Sequence, residues 1–147
     1  QRGRYTFIKD TGCDIETIRR RVDLCRGRGL RIANANGQTL LPSLRAGADG
    51  YSGVMTNFHP DLYVWLCDHW QDEPEKAEIL AAYLATASLV EHLDYPVCAK
   101  DYQQSIGNFA TANCRARETN GYYTSYFQNN IQDMVRLSDL VRKHIGA

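Results

Sequence analysis

No apolar run in the sequence is long enough to cross a bilayer, which leaves no candidate for a transmembrane helix. Neither charge sign dominates: 17 Lys and Arg stand against 17 Asp and Glu, and a formal net charge of zero argues against a dedicated binder of nucleic acid or acidic membranes. The first residues, QRGRYTFIKD, have neither the long apolar stretch nor the small-residue cleavage site of a signal peptide. The five cysteines, Cys13, Cys25, Cys67, Cys98 and Cys114, are odd in number and include no C-x-x-C pair. That excludes a simple disulfide framework and a zinc knuckle, and predicts buried or half-buried free thiols in a reducing, cytoplasmic setting. His59, His69, His92 and His144 are scattered, so no metal site is expected. Lysine is scarce, with Lys9, Lys76, Lys100 and Lys143 the full set. What remains is ordinary for one globular domain with a real core: 147 residues, 44% of them hydrophobic and 23% charged.

The first half alternates. Tyr5–Lys9 is a short β-rich run, and Asp14 offers an N-cap for a helix with Ile15, Ile18, Val22 and Cys25 at helical spacing. The glycines of GRGL close it. Arg31–Asn34 reads as a second strand, NGQTLLPSLRAG as a turn and short helix ending near Gly47, and Gly50–Val54 as a third strand. A helix over Pro60–Trp70 follows. That rhythm is the signature of βα units on a parallel sheet. The second half has no strands. Pro74 opens a helix whose expected buried stripe is Ile79, Tyr83, Ala87 and Val90, widened by Leu80 and Leu84. Pro96 interrupts it, a helix over Val97–Asn108 follows, RETNGYY reads as a loop, and the last helix carries Phe127, Ile131, Met134, Val141 and Ile145 on one face. The Arg19–Arg31 arginines read as a solvated outer face, and the aromatic residues over Tyr122–Phe127 as packing.

Lys9 stands out because it alone of the lysines follows an apolar strand. Strand alternation puts Tyr5, Phe7 and Lys9 on one face, with Thr6 and Ile8 on the other. If helices cover both faces of the sheet, desolvation gives a neutral amine able to attack a carbonyl, at the strand end where parallel α/β folds place their chemistry. Spacing alone favours the plainer alternative, a lysine that snorkels out at a strand end.

Two segments shift that balance. IKDTGCDIETI resembles the segment around the Schiff-base lysine of the dihydrodipicolinate synthase and N-acetylneuraminate lyase family. RIANANGQTLLPSLRAGADGYSGVMTNFHP is similar to that family's seventh strand, site loop, helix and eighth strand, with one helix's worth of chain between the two segments. The likeness is strongest over residues 5–70, and beyond Pro74 rests on helical pattern.

The resemblance implies an α/β fold that is part of a (β/α)8 TIM barrel, its last three βα units over residues 1–73, followed by a helical extension over 74–147. It implies an incomplete site, because the family's proton-relaying tyrosine and its Gly-Thr-Thr-type carboxylate loop lie on earlier strands. It makes Lys9 the residue that forms an imine with pyruvate, and gives substrate-binding places to Thr11, Ala35, Asn36, Gly37 and Ser52. Thr11 reads equally well as a turn hydroxyl bonded to its own backbone. Ala35 replaces the usual glycine, narrowing the pocket, and Ser52 matches a position whose carbonyl faces the site. The acids that hold a sugar chain in the sialic acid lyases are absent from Asn36–Gln38, and Val54 replaces a serine of that branch. The implied activity is reversible cleavage or formation of a 2-keto acid, a 2-keto-3-deoxy or hydroxy-keto acid first, with dihydrodipicolinate synthesis as runner-up and a non-catalytic keto-acid-binding barrel as the rival. No cofactor is implied. The implied partners are a small 2-keto acid and further copies of the chain in a dimer or tetramer, with no nucleic acid and no membrane.

Overall fold

The computed structural model describes residues 4–117 and 124–147. Strands β1 (Phe7–Asp10), β2 (Arg31–Asn34) and β3 (Gly50–Tyr51) alternate with helices α1 (Ile15–Cys25) and α2 (Leu40–Arg45). A 3₁₀ turn at Val54–Asn57 leads to α3 (Pro60–His69) and α4 (Pro74–Ala87). A second 3₁₀ stretch at Ser88–His92, α5 (Val97–Ser105) and α6 (Ser125–Ile145) complete the chain. The strands form one parallel sheet in the order β1-β2-β3. Lys9 pairs with Ala33 and Asp10 with Asn34, while Ala33 pairs with Gly50 and Asn34 with Tyr51.

Local chemistry sets most boundaries. The Asp14 side chain accepts the Thr17 N–H at 2.8 Å and so caps α1. Gly27 and Gly29, at φ 72° and 67°, stop it in backbone that L side chains rarely adopt. Ile18 and Val22, one turn apart, pack on Ile32 and Ala48 in a small core, with Ile8 and Cys25 at its edge. Full burial of an Ile contributes roughly 1.5–3 kcal/mol, so even this small cluster holds α1 to the sheet. Pro42 falls in the first turn of α2, where its missing N–H would have had no helical partner. Pro60 and Pro74 open α3 and α4 for the same reason.

The main core lies between α2, α3, α4 and α6, around Leu40, Leu44, Leu62, Leu66, Leu80, Leu84 and Ile131. The Tyr83 hydroxyl donates to the Met134 carbonyl at 2.9 Å, and Arg142 grips both oxygens of Asp61 at 2.6 and 3.0 Å, which ties α6 to α4 and α3. The Tyr102 hydroxyl donates to the Phe58 carbonyl at 3.1 Å and fastens α5 to the chain after β3.

Several expectations change. β3 stops at Tyr51 rather than Val54. The reason lies at Gly53, where a Cβ would sit 2.1 Å from the Tyr51 hydroxyl and 2.5 Å from the Ala35 carbonyl, so the chain has turned sharply there. Ile79, expected in the core, is 47% exposed, while Ala77 is buried. The buried face of α4 runs through Ala77, Leu80, Leu84 and Ala87, and Ile79 lies about 200° round the helix from Ala77. The long fourth helix is interrupted at Ser88, although Val90 is still buried, and α5 ends at Ser105. Among the thiols, Cys98 is buried and Cys25, Cys67 and Cys114 are half-buried, but Cys13 is exposed, in a turn at φ 54°. The expected RETNGYY loop, apart from Arg117, and the aromatic pair Tyr122 and Tyr123 lie outside the described residues. Tyr126 is exposed and Phe127 half-buried. Among the described residues no helix is long and apolar enough to cross a membrane.

Candidate functional site

Helices cover one face of the sheet. The face carrying Tyr5, Phe7 and Lys9 is open among the described residues, with Tyr5 83% and Phe7 49% exposed. The expectation of two dry faces therefore does not hold for these residues, and Lys9 is exposed. It stands at the C-terminal end of β1, in a cross-strand row with Ala33 and Gly50. Paired residues of a parallel sheet share a face, so the longest side chain of the row has a methyl group and a glycine beside it. Ala33 is buried and Gly50 half-buried, so the lysine is the exposed member of the row.

One step further along the strands come Ala35 and Ser52. The Ala35 N–H donates to the Asp10 carbonyl and the Ser52 N–H to the Asn34 carbonyl, each at 2.8 Å, so both extend the ladder beyond the strand ends and both are half-buried. Thr11 is exposed in the turn after Lys9, and its carbonyl accepts the Cys13 thiol at 3.6 Å. Asn36 is engaged with its own loop: its side-chain oxygen accepts the Thr39 N–H at 3.0 Å and the Thr39 hydroxyl at 3.2 Å. Gly37 is buried and turned toward the helices, where a Cβ would meet the Leu84 carbonyl at 3.2 Å and the Tyr63 hydroxyl at 3.4 Å. Lys9, Thr11, Ala35 and Ser52 thus gather at one end of the sheet, with Asn36 shaping the adjoining loop and Gly37 packing behind it.

Polar residues that sequence reasoning passed over lie under this end. Asp10 is 1% exposed and accepts the Gly12 N–H at 2.8 Å and a hydrogen bond from Arg21. Arg21, expected on a solvated face with its neighbours, is turned back to the strand. Asn34 is fully buried; its amide donates to Thr39 at 2.9 Å and Ser43 at 3.1 Å, and its oxygen accepts the Asn36 N–H at 2.8 Å. The Asn34 network had a legible signal, since Thr39 and Ser43 are one helical turn apart. Behind β3, Tyr51 stacks on Tyr63 with ring centroids 3.9 Å apart and planes 3° off parallel, and His59 lies 5.6 Å from Tyr63. Burial lifts the Tyr51 and Tyr63 hydroxyls above the usual phenol range and, helped by nearby Arg142, pushes His59 down to about 4. The His59 Nε2 and the Tyr63 hydroxyl are buried without a hydrogen-bond partner among the described residues.

Neither a protein-family model nor a curated protein matches the sequence. Solved structures do. The dihydrodipicolinate synthase of Thermotoga maritima superposes with a TM-score of 0.73 at 20% identity, covering 88% of this chain and 45% of that one. A monomeric dihydrodipicolinate synthase variant matches with a TM-score of 0.73 at 19% identity, over 88% of this chain and 44% of its own. A prophage protein of Escherichia coli K12, of the dihydrodipicolinic acid synthase family and solved in complex with pyruvate, matches with a TM-score of 0.71 at 20% identity, over 87% of this chain and 45% of its own. The chain spans less than half the length of each, and at these identities the likeness is one of fold. The family to which the sequence pointed is the family whose structures match: this chain is folded as just under half of a dihydrodipicolinate synthase-type protein is folded.

Proposed function

We propose that the protein containing this chain is a pyruvate-type class I aldolase or lyase, with Lys9 as its imine-forming residue. One observation carries the reading: Lys9 stands at the C-terminal end of a parallel strand, on the open face, in a row whose other members are Ala33 and Gly50. The pyruvate complex of the structurally similar prophage protein supports a 2-keto acid as ligand. In this reading the three strands are consecutive βα units of a (β/α)8 barrel over residues 1–73, the open face is the barrel interior, and residues 74–147 are a helical extension. The rest of the barrel, outside this chain, covers that face and supplies the proton relay and the carboxylate site.

The chemistry follows from the amine. The Lys9 amine adds to the keto carbon of the substrate, and loss of water with uptake of a proton leaves a protonated imine. The bond between the first and second carbons beyond the imine carbon then breaks, its electron pair moving toward the imine to give an enamine, as a base outside this chain takes the proton of the hydroxyl that becomes the aldehyde. An aldehyde leaves, the enamine is protonated at carbon, and water releases pyruvate and restores the amine. Thr11 and Ser52 flank the substrate, Ala35 narrows the pocket beside it, and Asn36 and Gly37 hold the loop between. With no acid over Asn36–Gln38 to bind a long sugar chain, a short 2-keto-3-deoxy or hydroxy-keto acid is the substrate class of first choice. The synthase structures among the matches favour a second reading, condensation of pyruvate with a semialdehyde to a dihydrodipicolinate precursor. Assembly as a dimer or tetramer accompanies either.

The test is reduction of the complete protein with borohydride in the presence of pyruvate, followed by peptide mass spectrometry. A pyruvyl adduct on Lys9, absent from Lys9→Ala, is the expected result. No adduct on the unaltered protein favours a non-catalytic keto-acid-binding barrel, and an adduct that survives Lys9→Ala removes Lys9 from the role.

A further inference from the structure

Asp10, Asn34 and Tyr51 form a second cross-strand row, on the covered face. Each ties the end of its strand to the helix that follows: Asp10 to Arg21 of α1, Asn34 to Ser43 of α2, and Tyr51 to Tyr63 of α3. Asp10 is the costly member. A carboxylate that is 1% exposed is unfavourable unless paired and hydrogen-bonded, and an apolar residue at this position on the covered face would serve the packing as well or better. Its bonds show what it does instead. One oxygen accepts the Gly12 N–H at 2.8 Å, and the other is held by Arg21. A Cβ on Gly12 would lie 3.2 Å from that first oxygen and 3.5 Å from the arginine, so the turn closes tightly over the carboxylate. Asp14 fixes the far end of the same turn by capping α1. The chain from Lys9 to α1 is therefore held at both ends, by a charge at one and a cap at the other.

We propose that Asp10, held by Arg21, is a positioning residue for the reaction at Lys9: by locking the turn Thr11–Cys13 it fixes the direction in which the lysine and the Thr11 hydroxyl meet the keto acid. This rests on the reading of Lys9 as the imine-forming residue. Asp10 touches no substrate, because it lies on the opposite face of β1 from the amine. Its effect belongs to the rate of imine formation and not to the affinity for pyruvate.

The experiment uses the complete protein and measures, over a range of pyruvate concentrations, the rate at which the trapped adduct appears on Lys9. Thermal melting is followed in parallel on the same samples. Asp10→Ala is expected to lower the maximal rate by ~10-fold or more while moving the half-saturating pyruvate concentration by less than about 2-fold, as misorientation of a reacting group does. Asp10→Asn keeps the shape and the bond to Gly12 and should lose less; Arg21→Ala should match it, and Arg21→Lys should recover most of the rate. Asp10→Ala/Arg21→Ala should be no slower than Asp10→Ala alone. Ile18→Val is the control: it loosens the same strand–helix contact without touching the turn, so it should lower the melting temperature and leave the rate alone. Should Asp10→Ala not fold, Arg21→Ala carries the test, with Arg21→Lys as its rescue. Adduct formation at the unaltered rate in Asp10→Ala and Arg21→Ala overturns the proposal while leaving Lys9 in its role. So does a loss of rate that tracks melting temperature equally in Ile18→Val. Absence of any adduct on Lys9 in the unaltered protein overturns the reading of Lys9 and this proposal with it.

Discussion

The two faces of the sheet are built from alternate residues of the same short strands, yet they obey opposite rules. On the covered face Ile32, Asp10 and Asn34 are at most 1% exposed, and every polar group among them is bonded to the turn or helix that follows its strand. On the open face Tyr5 and Phe7 display large aromatic surfaces beside an exposed lysine and arginine, Lys9 and Arg31. A cluster of exposed aromatic residues along a strand is a surface made to be covered. The lesson is a division of labour: the covered face holds the strand ends in place, and the open face presents the lysine to which the proposed chemistry is assigned.

The sharpest way to break that comparison is to delete its two poles separately. Lys9→Ala, on the open face, should abolish pyruvate trapping in the complete protein while the protein still melts cooperatively, at a cost of no more than about 3 kcal/mol. Leu84→Ala, in the helical core behind the covered face, should do the reverse. Leu84 is fully buried, and truncation should cost about 2–5 kcal/mol, read as a lower urea midpoint with trapping retained below it.

Acid should select the same side. His59 titrates at about 4 when folded, against an ordinary 6.5. Above pH 6.5 the ring is neutral in both states; below it the unfolded chain takes up a proton that the buried ring refuses. Stability therefore falls as pH drops from 6.5 toward about 4, by on the order of 3 kcal/mol from this group. His59→Leu should flatten that part of a pH–stability profile, and an unchanged slope would show that the ring is not held neutral.

Gly53→Ala tests the joint between the faces. Its Cβ would meet the Tyr51 hydroxyl at 2.1 Å and the Ala35 carbonyl at 2.5 Å, so the strand ends must shift, at about 1–3 kcal/mol. The same shift disturbs Ala35, so both melting temperature and adduct yield should fall. The smallest effect belongs to the outer surface. Arg45 and Glu78 pair at 2.6 Å with about half of each side chain exposed, and Arg45→Ala should cost no more than about 1 kcal/mol and less at high salt.

The parts of the fold legible in the sequence are those written in neighbouring residues. Asp14 and the Gly27–Gly29 pair bracket α1 because a cap and a positive-φ glycine act within one turn. β2 occupies the four residues read for it, Arg31–Asn34, and the prolines at 60 and 74 mark helix starts because proline lacks the donor that a first turn does not need. Lys9 was legible as a lysine at a strand end for the same local reason. Asp10 and Arg21 were not, because their pairing spans a strand, a turn and two turns of helix, and nothing in either residue's neighbours marks it.

By itself, then, the sequence determined the order and the kinds of element, the caps that bound them, and the presence of one lysine at the end of the first strand, since all of these arise from interactions a few residues long. Only the tertiary structure decided which face of the sheet is covered, that Ala77 and not Ile79 points into the core, that β3 ends at Tyr51 under the close approach of Gly53 to Ala35, and that Asp10 is buried against Arg21. Each of those depends on where one element lies against another, and that is settled by the burial of surfaces far apart in the chain.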